Sequence, residues 1–321
     1  MQTKVTTMRL PPALSRRQWL QAATTVPLFG TLPAQAQQRP TVGRVERWPQ
    51  HASRHVAPRN VEVWLPPHYE QRVREGVRFA VLYMHDGQML FDASTTWNKK
   101  AWRADMAARS VMATGGMQDF IIVGPWNGGD LRRSEYYPAG FLPHLPAAVR
   151  DRYVKEALAG RPRSDAYLRF LVEELKPAVD ARYATRPERD ACWLMGSSMG
   201  GLISAYALWE YPQVFGGAAC LSTHWIGTWE SNAEFPAAAV AYLRARPPAP
   251  TTVRLWTDRG TRELDAQYAG AHRDVTAALQ RLGFAAPRFR AEVFEGTGHN
   301  EDDWAKRLGM TMSFLAKREL G

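Results

Sequence analysis

The segment Gly196-Ser197-Ser198-Met199-Gly200-Gly201 has the residue types and spacing on which a serine nucleophile can be built. The G-x-S-x-G pattern carries that meaning only between a strand and a helix. Here the apolar run Ala191 to Met195 precedes it and a helix-compatible stretch, 199–210, follows. Such a turn forces Ser198 into a strained backbone conformation, while small residues two positions either side let strand and helix pass closely. The hydroxyl would then stand at the sheet edge, before a helix N-terminus whose N–H groups favour developing negative charge. The bland alternative is a glycine-rich packing turn.

A serine hydroxyl needs a base, and three histidines lie downstream: His224, His272 and His299. His272 falls mid-helix among charged residues, where a solvated surface position is expected. His299 follows the strand-like run 289–294, at the end of the last strand, where the chain order serine, acid, histidine places the base. His224, after the run 217–221, is a candidate pocket residue. The acid belongs on the loop after Val253 to Thr257, where Asp258, Glu263 and Asp265 compete. Asp258 abuts the strand and reads as a loop-folding residue. Asp265 reads as a first-turn helix residue that interacts with the helix dipole. Glu263, three residues past Gly260, has the reach to approach a histidine from a neighbouring loop and is the preferred acid.

Two backbone N–H groups must face the carbonyl oxygen of an acyl substrate. Met199 supplies one, directly after the nucleophile. The loop His85-Asp86-Gly87-Gln88 supplies the other, with Gln88 favoured over Gly87. His85 and Asp86 could also suggest a metal site, but a third ligand at useful spacing is absent and no HExxH occurs; no metal or other cofactor is expected.

These residues need a scaffold that brings the ends of several strands together. Continuous apolar runs at 79–84, 119–123, 191–195, 217–221, 253–257 and 289–294 suit strands buried on both faces. Val61 to Leu65 alternates like an antiparallel edge strand and stops at Pro66-Pro67. Helical segments are expected near 101–113, 165–183, 199–210, 264–282 and 302–318. Alternating strands and helices predict an α/β fold, a mostly parallel central sheet with helices on both faces. The stretch 125–163 interrupts the alternation with prolines, glycines and one short amphipathic piece, and reads as an inserted loop region.

The 321 residues carry a formal charge of +10; the first 36 hold Lys4, Arg9, Arg16 and Arg17 without an acid, leaving +6 for the rest. The charges are scattered, which speaks to solubility and gives no reason to expect a nucleic-acid partner. Ser15-Arg16-Arg17-Gln18-Trp19-Leu20, an apolar run to Leu32 and Pro33-Ala34-Gln35-Ala36 read together as a twin-arginine signal peptide, cleaved after Ala36. At about 14 residues the run is shorter than the roughly 20 a spanning helix needs, so no stable membrane insertion is expected after cleavage. A periplasmic or secreted location and one domain, 37–321, follow as expectations. Cys192 and Cys220 lie on two expected neighbouring strands and should be buried free thiols, because parallel strand geometry rarely aligns two Cβ atoms for a bridge.

Five blocks occur in order: Leu82 to Gln88, Arg133-Ser134-Glu135-Tyr136-Tyr137-Pro138, Gly196 to Gly201, Asp258 to Glu263, and Gly298-His299-Asn300. Together, over roughly residues 57–318, the chain resembles the putative-esterase family of α/β-hydrolases, which includes esterase D, enterochelin esterases and feruloyl esterases. The resemblance implies an α/β-hydrolase fold and a serine carboxylesterase with Ser198, Glu263 and His299 as triad. In the siderophore-esterase branch the acid is likewise a Glu after a Gly-x-x motif. The block around Arg133, Glu135 and Tyr136 looks largely structural in that family. His85, Asp86, Arg133, His224 and Trp225 are the candidate pocket residues. The expected substrate is a small ester, acetyl- or feruloyl-sugar or siderophore-like. An acyltransferase of the same fold and a non-catalytic siderophore- or glycan-binding protein are the rival readings.

Overall fold

In the computed structural model, which describes residues 42–318, the apolar runs become one eight-stranded sheet in the order β1-β2-β4-β3-β5-β6-β7-β8. The strands are β1 (Arg44–His51), β2 (Arg59–Leu65), β3 (Ala80–Met84), β4 (Phe120–Pro125), β5 (Cys192–Ser197), β6 (Gly217–Leu221), β7 (Arg254–Gly260) and β8 (Phe289–Phe294). From β4 across to β8 every pairing is parallel, whereas β1–β2 and β2–β4 are antiparallel. The signal-peptide reading concerns residues outside the described ones.

The helices are α1 (Tyr69–Arg74), α2 (Ala104–Met112), α3 (Arg132–Tyr136), α4 (Ala147–Ala157), α5 (Ser164–Arg169), α6 (Lys176–Arg182), α7 (Met199–Glu210), α8 (Glu234–Ala245), α9 (Ala269–Arg281) and α10 (Glu301–Ala316). None of the described helices is long and apolar enough to cross a membrane. Period-two alternation sends the sheet's side chains to two cores. Val81, Tyr83, Ile121 and Val123 face a layer that includes α7, while Leu82, Met84, Ile122 and Met195 face α2 and α10. Each such side chain contributes roughly 1.5–3 kcal/mol by burial, which accounts for the unbroken apolar runs. Helix α7 is buried from Met199 to Trp209, consistent with its being apolar on every side.

Three expectations are corrected. Val61 to Leu65 lies inside β2, which is not the edge; β1 covers it, and β1 is too exposed to show a hydrophobic pattern. The stretch 165–183 is helical but passes through a π-helical turn, Phe170–Leu175, just before Pro177, whose ring nitrogen cannot donate. The stretch 264–282 is a 3₁₀ turn, Glu263–Tyr268, before α9 begins. Cys192 and Cys220 are free and buried, and the β5–β6 register pairs Cys220 with Gly196, four residues along from Cys192.

Candidate active site

Ser198 sits between β5 and α7 with φ +55° and ψ −120°, a backbone region that L-residues rarely occupy. Gly196 explains how the turn closes: a Cβ there would lie 2.6 Å from the backbone of Gly200. The Ser198 N–H donates to the carbonyl of Leu221 (2.9 Å), and the Ser198 carbonyl accepts from His224 N (3.2 Å), which pins the turn to the end of β6. Met199 opens α7, so its N–H is among the four at a helix start with no partner inside the helix. Gln88 lies in a 3₁₀ turn, Gly87–Met89, directly after β3. His85 N donates to the Met195 carbonyl (2.9 Å), holding that turn against the end of β5. Gly87 is there for closeness, since a Cβ would fall 2.0 Å from the Gly124 carbonyl oxygen.

His299 lies just before α10, whose N-cap is Asn300 accepting from Asp303 N (3.1 Å). Its Nδ1 donates to Asp265 Oδ1 at 2.6 Å, and Asp265 is fully buried. The preferred acid was Glu263, and the structure corrects it. The Glu263 carboxylate accepts from the His299 backbone N–H (2.8 Å) and from the Asn300 amide (3.3 Å), packed over Gly298 where a Cβ would lie 2.6 Å from its Cδ. It braces the loop that carries His299, while Asp265 takes the ring.

Asp265 is not a helix-dipole residue either. Its Oδ2 accepts from Ser222 Oγ (2.5 Å) and Gly260 N (2.5 Å). Burial alone would raise its pKa; the hydrogen bond and charge of His299, with Ser222 and Gly260, outweigh burial and hold it below the ordinary carboxylate value. Ser222 Oγ in turn accepts from Arg307 Nη2 (2.7 Å) and Trp304 Nε1 (2.9 Å). Arg307 Nη2 also donates to Asp258 Oδ1 (2.9 Å), and Asp258 accepts from Ser222 N (2.8 Å) and Trp256 Nε1 (2.9 Å). Asp258 thus folds the loop, as its place against the strand suggested.

The sequence reading missed Tyr268. Its hydroxyl lies 2.6 Å from His224 Nδ1, and its ring stands edge-on to His299 at 5.6 Å between centroids. His224 is 1% exposed and its pKa is pushed down to about 3 by burial, then by Arg133 and His299, so its neutral Nδ1 can accept the Tyr268 proton. Nothing in the residue spacing singled out Tyr268 or Ser222. Only their positions after β7 and β6, at the strand ends where sites gather, pointed there.

The remaining pocket candidates separate. His85 is buried, with Nδ1 2.8 Å from the Tyr167 hydroxyl, and burial pushes its pKa down to about 4. Asp86 is clamped by Arg132, Nε to Oδ1 and Nη2 to Oδ2 both at 2.7 Å, and by the Asn127 amide at 2.7 Å. Both support the Gln88 turn from behind, and buried Trp225 lines no open surface. Arg133 does face outward: its guanidinium stacks on the exposed ring of Trp229 at 5.1 Å, and Trp229 lies 6.3 Å from His224. Glu135 is structural, paired with Arg59 at 2.6 Å in the core. His272 is buried rather than solvated, and its pKa is pushed down to about 4 by burial and by Arg259.

A profile of the Putative esterase family matches residues 54–314. The uncharacterized protein YbbA of Bacillus subtilis (strain 168) is 24% identical over 264 residues, covering 80% of this chain and 92% of its own. The siderophore triacetylfusarinine C esterase of Aspergillus fumigatus is 32% identical over 159 residues, 48% of this chain and 47% of that protein. The solved structure of a ferulic acid esterase superposes with a TM-score of 0.61 at 17% identity, covering 85% of this chain and 98% of the other. At that identity the likeness is one of fold, the α/β-hydrolase fold.

Proposed function

The chain belongs to the Putative esterase family, and we propose that it hydrolyses carboxylic esters through a covalent acyl-enzyme on Ser198. The observation that carries this reading is the 2.6 Å hydrogen bond between His299 Nδ1 and Asp265. With Nδ1–H engaged by a carboxylate, the lone pair of a neutral His299 lies on Nε2, the form a general base needs. Ser198 Oγ attacks the ester carbonyl carbon as its proton passes to His299 Nε2. The carbonyl oxygen becomes an oxyanion, which the N–H groups of Met199 and Gln88 stabilise. Collapse breaks the ester C–O bond, and His299 returns its proton to the departing alkoxide. Water then attacks the acyl-enzyme with His299 again as base, releasing the acid and restoring Ser198.

The substrate class is a small ester of feruloyl or siderophore type. The names of the similar esterases support it, as does the Arg133–Trp229 stack beside His224, a surface suited to a phenolic ring. We also propose export, on the twin-arginine run at Arg16-Arg17, which N-terminal sequencing of the mature protein tests. Turnover of p-nitrophenyl acetate and methyl ferulate should vanish in Ser198→Ala with the fold intact. Undiminished turnover in that variant would remove the reading.

A further inference from the structure

The two outer strands of the sheet are built differently. At one edge β1 carries Pro49 and a break in register between Trp48 and His51, features that blunt a strand against further pairing. At the other edge β8 contains no proline and follows β7 in unbroken register from Phe289 to Phe294. Among the described residues nothing pairs with its outer side. The Leu255 N–H donates to the Arg288 carbonyl (2.9 Å), which sets the alternation of the parallel ladder. Arg290 and Glu292 therefore turn their backbone groups toward β7, and Phe289, Ala291 and Val293 turn theirs outward. The Phe289 N–H is taken by the Ala285 carbonyl (3.0 Å). What faces outward without a ladder partner is the Phe289 carbonyl and the N–H and carbonyl groups of Ala291 and Val293.

The side chains of that strand match their own sequence reversed. In an antiparallel pair centred on Ala291, Arg290 stands opposite Glu292 of a second copy, and Glu292 opposite its Arg290. These are the closely spaced, non-hydrogen-bonded positions, where facing side chains meet best. Phe289 stands opposite Val293, a large apolar residue left 42% exposed on the single chain. The same register uses the outward groups: Ala291 N–H meets the Ala291 carbonyl and Val293 N–H the Phe289 carbonyl, each twice by two-fold symmetry. Within one chain Arg290 and Glu292 pair with each other at 3.3 Å, at 56% and 37% side-chain exposure, where an ion pair contributes little. Charges that only guard an edge work best with one sign, since they repel every copy. Alternating signs make this strand complementary to itself.

We propose that the chain forms a two-fold dimer by antiparallel pairing of β8 with β8 of a second copy, which joins the two eight-stranded sheets into one. Backbone bonds at Ala291 and between Val293 and Phe289 fix the register, and the crossed Arg290–Glu292 pairs select it against a slipped or parallel alignment. The strand leads into the loop of His299, but the interface residues are not part of the ester-hydrolysing centre, so the dimer does not depend on that reading.

Sedimentation equilibrium of the full chain across a concentration series tests this, and a monomer–dimer equilibrium is expected. Arg290→Glu and Glu292→Arg each set like charges opposite one another twice, and each should weaken the dimer at least ~10-fold. The combined variant Arg290→Glu/Glu292→Arg restores opposite signs at both places and should dimerise nearly as the wild type does. The proposal is overturned if the wild type sediments as a monomer throughout, or assembles beyond a dimer, since a two-fold contact closes on itself. It is also overturned if the single reversals dimerise as the wild type does, or if the combined variant, folded by circular dichroism, stays as weak as they are. Ser198→Ala should dimerise unchanged, so this reading and the hydrolytic one fail independently.

Discussion

Asp265 and Glu263 divide His299 between them: Asp265 takes the imidazole at 2.6 Å, and Glu263 takes the backbone N–H of the same residue at 2.8 Å. One carboxylate orients the ring, and the other fixes the loop that presents it. The two roles separate experimentally. Asp265→Asn, which leaves the ring without its charged partner, should lower kcat at least ~100-fold with KM nearly unchanged. Glu263→Gln keeps an acceptor for the backbone N–H and should cost less than ~10-fold, with a small loss of thermal stability. The reverse ranking in steady-state kinetics would return the acid role to Glu263.

The Arg307–Asp258 pair lies under Ser222 and is almost wholly buried, at 3% and 0% side-chain exposure. Breaking it from one side strands a charge. Arg307→Met should destabilise the protein by about 3–5 kcal/mol in urea unfolding, and adding Asp258→Asn should recover part of the loss. A single variant as stable as the wild type would show that the pair contributes nothing to the fold.

Acid sensitivity should begin well above the carboxylate range. Burial pushes His85 and His272 down to about 4 and His224 to about 3, whereas unfolded histidine titrates near 6.5. The unfolded chain therefore binds more protons as pH falls through that region. The stability these groups contribute is fully present above about 6.5 and is lost progressively as pH falls toward their folded values, at up to ~1.4 kcal/mol per pH unit for each. Asp265 and Asp86, whose pKa values are depressed, lose their contribution only below the ordinary carboxylate value. Between pH 6.5 and 5 the histidines dominate these linked groups. Melting temperature should drop across that window, and His272→Gln should make the drop shallower; an unchanged slope would contradict the buried, neutral assignment.

What was legible in the sequence was whatever is decided locally. The glycines around Ser198 state their own requirement, because the strand and helix can meet there only without a Cβ on Gly196. The strands β3 to β7 announce themselves because both faces are covered, whereas β8, at the end of the sheet, is largely exposed and carries Arg290 and Glu292, so it is not the doubly buried apolar run expected. The acid was not legible because its identity depends on how two distant loops meet. Side-chain reach favoured Glu263, but the close approach of Gly260 to Thr297 brings the loops so near that the shorter Asp265 suffices. His272 was misread for a related reason. Its charged neighbours Arg273 and Asp274 pair with each other on the outside of α9 while the histidine turns inward, an arrangement that a run of charges does not reveal.

The positive φ of Ser198 has a consequence for anyone who tries to improve this protein. A side chain held in that conformation stores roughly 1–3 kcal/mol of backbone strain, and glycine would not. Ser198→Gly would discard the hydroxyl and relieve the strain together. Directed evolution for heat resistance alone would therefore reward the loss of the nucleophile, and a library scored without substrate would drift toward sturdy, inert proteins.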